Sequence, residues 1–138
     1  MKQAMTRLSI PGRGRGLQEI TATLSNWVAG AGIGDGMLTA FIPHTSATLL
    51  IQENADPDVA HDLEAFFDRI APEGAGYRHE NEGPDDMPAH IRSALTQSDI
   101  QIPVMQGRLQ LGTWQGVFLF EHRIEPRKRD VVLHLLGT

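Results

Sequence analysis

A chain of 138 residues with 41% hydrophobic and 21% charged content matches a single globular domain spanning 1–138, long enough to bury a core. No apolar run approaches the roughly 20 residues of a membrane-spanning helix, and the first six residues lack the apolar stretch of a secretory signal, so a cytoplasmic protein without membrane contact is expected. The net charge of −5 argues against general nucleic-acid binding, and the absence of cysteine removes disulfides, thiolate metal ligands and thiol nucleophiles.

Residues 6–10 read as a short strand, closed by Pro11 and the glycine-rich residues 12–16. That loop lies between a strand and the next element, so its amides could face an anion, but it lacks the spacing of a phosphate-binding loop and reads as a turn. Leu17, Ile20, Leu24, Trp27 and Val28 recur at three-to-four spacing and predict a helix, which the glycines of residues 30–36 stop. Residues 37–43 and 45–52, rich in Thr, Leu and Ile, predict one long strand or two abutting ones. Asp56-Pro57 resembles an N-cap with proline in the first helical position, and Val59, Leu63, Phe66, Phe67 and Ile70 supply that helix with a buried stripe.

Residues 71–83 show no periodicity and read as a loop. Asp85 or Asp86 caps a short helix over residues 89–95, with Pro88 in its first turn. Residues 99–105 alternate as a strand, and Gln106-Gly107 is a hairpin signal. Residues 109–121 are the longest strand candidate, apolar on both faces over residues 117–120. A turn at residues 126–129 returns the chain as a last strand over residues 131–136. Hairpins rather than helical crossovers join the late strands, so the expected fold is α+β: a largely antiparallel β-sandwich with two main helices and a short third.

Polar residues concentrate in three segments: His-Thr-Ser-Ala at residues 44–47, Gly-Pro-Asp-Asp-Met-Pro-Ala-His at residues 83–90, and Leu-Gly-Thr-Trp-Gln-Gly at residues 111–116. A packed core gives no reason for that concentration, whereas binding or chemistry does. Of the six histidines, His61 reads as a surface residue and His134 as a core or interface one. His44, His79, His90 and His122 flank the polar segments. A metal site would have to gather His44, His79 and His90 from distant segments, with Asp85 or Asp86, since no zinc-finger or H-E-x-x-H spacing is present. Ser46 lacks a nucleophile elbow and reads as a ligand-contacting hydroxyl. Trp114 is either core, with Gly112 and Gly116 making room for its ring, or a ligand contact beside Gln115. Two small basic clusters, Arg13 with Arg15 and Arg123 with Arg127, Lys128 and Arg129, suit a small anionic ligand better than a duplex.

These segments, together with Gln-Glu-Asn-Ala-Asp-Pro at residues 52–57, Tyr77-Arg78-His79, Arg15-Gly16-Leu17, Glu121 and residues 127–129, resemble the YjbQ family (UPF0047), whose members are called secondary thiamine-phosphate synthases. The likeness runs nearly end to end. It implies a homotrimer, and a transferase that joins a hydroxymethylpyrimidine diphosphate to a thiazole phosphate with release of pyrophosphate, in part as a side activity. Residue type and motif position together assign catalytic roles to His44, Asp86, His90 and Glu121, and substrate contacts to Arg15, Ser46, Asn54, Trp114, Gln115 and Arg129. A divalent metal, Mg²⁺ or Zn²⁺, is expected on His44, His79 and His90. Two other readings use the same residues: a metal-dependent phosphate-ester hydrolase, and a non-catalytic trimer that binds a metabolite or metal. Where this chain has residues 84–90, members of the family carry a shorter Asn-Ser-Asp-Ala-His run, which leaves the choice between Asp85 and Asp86 open.

Overall fold

A computed structural model of the chain describes residues 1–138. Two antiparallel sheets form the α+β sandwich expected from the hairpins. The five-stranded sheet has the order β1-β8-β3-β5-β6, from β1 (Lys2–Ile10), β3 (Gly36–Phe41), β5 (Asp99–Met105), β6 (Arg108–Leu109) and β8 (Arg129–Gly137). The three-stranded sheet runs β2-β7-β4, from β2 (Gly16–Glu19), β4 (Ala47–Glu53) and β7 (Gln115–Glu121).

Alternation along β5 and β8 turns Ile100, Ile102, Val104, Val131, Leu133 and Leu135 inward, where they meet Leu49, Val117 and Leu119 of the smaller sheet. Helix α1 (Thr21–Gly30) joins the same core through Leu24 and Val28. Helices α2 (Pro57–Ile70) and α3 (Asp86–Leu95) lie against the smaller sheet, with Phe67 edge-on to Phe120 at 5.4 Å. No helix is long and apolar enough to cross a membrane.

Three elements differ from the sequence reading. Leu17 does not begin the first helix. It lies in β2 opposite Phe120, and the helix starts only at Thr21, because pairing with β7 outweighs the short-range periodicity. Residues 109–121 are not one strand: β6 ends at Leu109, and a turn through Trp114 precedes β7. The α2 stripe is not fully buried either. Val59, Leu63 and Phe67 are half-buried, while Phe66 and Ile70 are exposed. The start of α2 matches expectation, with the Asp56 carboxylate accepting from Asp58 N–H and Pro57 in the first turn.

The smaller sheet decides where polar groups can meet. β4 and β7 run antiparallel, with Ala47 opposite Glu121 and Glu53 opposite Gln115. Residues 44–46 therefore lie near residues 121–123 at one end, and Asn54 lies near Trp114 at the other.

Candidate functional site

At the first end, α3 presents Asp86 and, one turn later, His90 on the same face. The loop before the helix brings His79 to them. His79 Nε2 lies 2.7 Å and His90 Nε2 3.1 Å from the same Asp86 oxygen, Oδ2. The other oxygen, Oδ1, accepts from Arg123 Nη1 at 2.6 Å. Asp85, next in sequence, faces elsewhere: its Oδ2 accepts from Arg123 Nε and from the backbone N–H of Ile124. It occupies the N-cap position of α3 but does not cap with its side chain, which clamps the arginine instead.

The two aspartates thus have different roles, and only Asp86 faces imidazoles. Burial pushes its carboxyl up, but the His79 hydrogen bond and the charges of His90 and Arg123 outweigh this and hold it below the usual carboxylate range. His90 Nδ1 lies 3.0 Å from the Thr45 carbonyl, which only accepts, so Nδ1 carries a proton. Its Nε2 then faces a second acceptor. One imidazole proton cannot serve both contacts; a second proton or a cation between Nε2 and Oδ2 must. The donor atoms of His79, Asp86 and His90 all lie within 4.8 Å of one another.

Beside this group, and joined to it through Thr45, is a buried network. The Arg129 guanidinium meets Glu121 with Nε at 2.7 Å and Nη2 at 2.6 Å, and Nη2 also reaches Ser46 Oγ at 2.8 Å. Glu121 Oε2 further accepts from the N–H groups of His122 and Arg123. With 1% of its surface exposed, Glu121 acts by holding Arg129 and the strand end. His44 is not in the His79–Asp86–His90 group. Its Nε2 accepts from Asp130 N–H at 2.8 Å, and burial together with the Arg129 charge lowers its pKa. Arg15 donates through Nε to the carbonyl of His122 and so ties its loop to the end of β7.

Asn54, Trp114 and Gln115 lie at the far end of β7, about 20 Å away at the usual rise per strand residue. Trp114 is 63% exposed, so it is not core, and Gly112 and Gly116 do not make room for it. A Cβ on Gly116 would come within 2.6 Å of Glu19 Oε2 and 3.0 Å of the Asn54 Cβ, whereas one on Gly112 would meet the Gln115 amide. Gln115 Oε1 accepts from Gly112 N–H, Asn54 Nδ2 donates to Glu19, and Asn54 N–H donates to the Trp114 carbonyl. These contacts hold an exposed indole on a rigid turn.

Three further residues matter at the two ends: Arg123, Thr45 and Glu19. Arg123 adjoins Glu121 and His122 at the end of β7 and opens the second basic cluster, the one sequence signal available for it. Thr45 acts through its carbonyl, which no side-chain pattern reveals.

The family model described as "UPF0047 protein YjbQ-like" matches residues 6–138. The chain belongs to the YjbQ family. Among YjbQ relatives, it is 51% identical over 137 residues to UPF0047 protein sll1880 of Synechocystis, covering 99% of this chain and 93% of that one. It is 41% identical over 131 residues to UPF0047 protein YjbQ of Escherichia coli O157:H7, covering 94% and 95%. A crystal structure of a YjbQ/UPF0047 family protein from Clostridium acetobutylicum superposes with a TM-score of 0.87 at 36% identity, covering 95% of this chain and 99% of that one.

Proposed function

We propose that the chain is a divalent-metal-dependent enzyme acting on phosphorylated small molecules, with the metal held by His79, Asp86 and His90. The His90 geometry carries this reading. Its Nδ1 is committed to a carbonyl and its Nε2 faces a carboxylate oxygen, a conflict that a first-row metal between Nε2 and Oδ2 would resolve, and His79 Nε2 faces the same oxygen. Two imidazoles and one carboxylate suit Zn²⁺ or Fe²⁺ better than Mg²⁺, which favours all-oxygen surroundings. When bound, such an ion would offset negative charge on a phosphoryl or pyrophosphoryl oxygen. Arg123 would fix Asp86, and Thr45 would fix the tautomer of His90, as outer partners of metal ligands commonly do. Both oxygens of Asp86 and of Glu121 are engaged, which leaves His44 as the group placed to move a proton.

Within this class, the family resemblance favours thiamine-phosphate synthesis: pyrophosphate leaves a pyrimidine methylene carbon, which bonds to the ring nitrogen of a thiazole phosphate. In that reaction Trp114 would stack on a heterocycle. Its separation from the imidazoles then requires a neighbouring subunit to supply it, in keeping with the homotrimer that the resemblance implies. The same separation favours a second reading, hydrolysis of one phosphate ester at the imidazoles alone. Zn²⁺-loaded protein given hydroxymethylpyrimidine diphosphate, with and without thiazole phosphate, separates them. Pyrophosphate release that depends on the thiazole supports the synthase, and release of phosphate from a single ester supports the hydrolase. Stoichiometric metal with neither product leaves a binding protein, and no stoichiometric metal removes the proposal.

A further inference from the structure

The cleft beside His44 has a volume of about 430 Å³, a polar wall of His44, Ser46, Ser98 and Arg129, and no carboxylate in its lining. Arg129 is 5% exposed and commits Nε and Nη2 to Glu121 and Ser46. Its Nη1 makes none of these contacts and, unlike the Nε of Arg127, is not sealed from the surface without a partner. His44 is in a similar state. Because Nε2 accepts from Asp130, the neutral ring carries its proton on Nδ1, which has no partner in the chain. Ser46 Oγ accepts from Arg129 and keeps its own hydrogen to donate.

Three donors of different chemistry therefore border one cleft that no carboxylate lines. Glu121 offsets the Arg129 charge from behind, so what the cleft offers is directed N–H and O–H groups. That arrangement suits an oxyanion with several acceptor oxygens, which makes stronger hydrogen bonds than water does. We infer that this cleft is an anion subsite for a substrate phosphate group, held by Arg129 Nη1 and His44 Nδ1–H. It rests on the phosphorylated-substrate class proposed above but not on the metal. Thr45 connects the two: its carbonyl holds His90, while its neighbours His44 and Ser46 line the cleft.

The test is a titration of inorganic phosphate into chelator-treated full-length protein, followed by calorimetry and by the ¹⁵N resonances of the histidine rings. Saturable binding that moves the His44 ring signals is expected. His44→Phe and Arg129→Lys, each checked for a native melting transition, should each weaken binding roughly ten- to a hundredfold. His79→Ala, which removes one imidazole of the metal group, should leave phosphate affinity within about twofold. Three results overturn the inference: no saturable binding to the intact protein, binding that His44→Phe leaves unchanged, or binding that appears only after Zn²⁺ is restored. The last would put the anion on the metal. Failure of the metal proposal reads out separately, as absence of Zn²⁺ uptake while phosphate binding persists.

Discussion

Arg123 grips Asp86 by Oδ1 and Asp85 by Oδ2, so it sets which carboxylate oxygen is left for the imidazoles. Arg123→Gln should free Asp86 to rotate and lower Zn²⁺ affinity about 10- to 100-fold, the usual range for an outer-shell partner. Competition with a colorimetric chelator measures this, and unchanged affinity would separate Arg123 from the metal proposal. His122 gives a prediction of another kind. It is fully buried, its Nε2 pairs with Thr48 Oγ1, and burial followed by the charges of Arg92, Arg15 and Arg129 lowers its pKa to about 3 from 6.5. Below pH 6.5 the unfolded state takes up a proton that the native state refuses. This contribution to stability is therefore complete above 6.5 and is lost as pH falls toward 3, at up to about 1.4 kcal/mol per pH unit. His44, also lowered, adds in the same direction. Denaturant titrations stepped from pH 7 to pH 5 should show stability falling in the parent and a shallower fall in His122→Asn. Parallel slopes would mean that His122 does not carry the effect.

Among the elements, the turn into β7 makes the most specific demand on sequence. Gly116 sits where Glu19 and the Asn54 Cβ close in, and Asn54 is pinned by its backbone to Trp114. Gly116→Ala should lose about 1–3 kcal/mol to overpacking, whereas Gly112→Ala meets only the flexible end of Gln115 and should lose less. Chemical denaturation of the pair orders them, and equal losses would show that the crowding is relieved elsewhere. The same region shows where sequence reading stops. Periodicity placed α1, α2 and the inner strands because each has a face that must be buried. It misassigned Leu17, whose spacing fits a helix but whose backbone is claimed by β7, and it ran β6 into β7 because the turn is held by the Gln115 side chain and the Asn54 backbone N–H, contacts that no local pattern shows. The capping aspartate was legible; that Asp85 clamps Arg123 instead of the helix end was not, since it depends on a residue 38 positions away.

For the molecule as a whole, three dense polar segments suggested one site, and the antiparallel pairing of β4 with β7 splits them between two ends of a sheet. Gathering them again around one substrate needs more than one chain. The outer face of the five-stranded sheet carries the apolar surface that such an assembly would cover. Pairing across β1, β8 and β3 sets Met5 beside His134, Leu136 beside Met37 and Val132 beside Phe41, and Met5, Met37, Phe41 and Leu136 are each 40–64% exposed. An apolar patch on a sheet face with no helix over it is the usual mark of an interaction surface. His134 lies on this outer face rather than in the core, its Nε2 satisfied by Gln3. Charges introduced there should act on assembly and leave the fold intact, because the inner face, with Val131, Leu133 and Leu135, is untouched. Leu136→Glu with Met37→Glu should convert a trimer to monomers in sedimentation velocity while chelator-competition Zn²⁺ affinity stays within about twofold, since every ligand comes from one chain. A monomeric parent protein would remove the assembly proposal and, with it, any role for Trp114 at the imidazoles. A variant that stays trimeric would move the contact to another face.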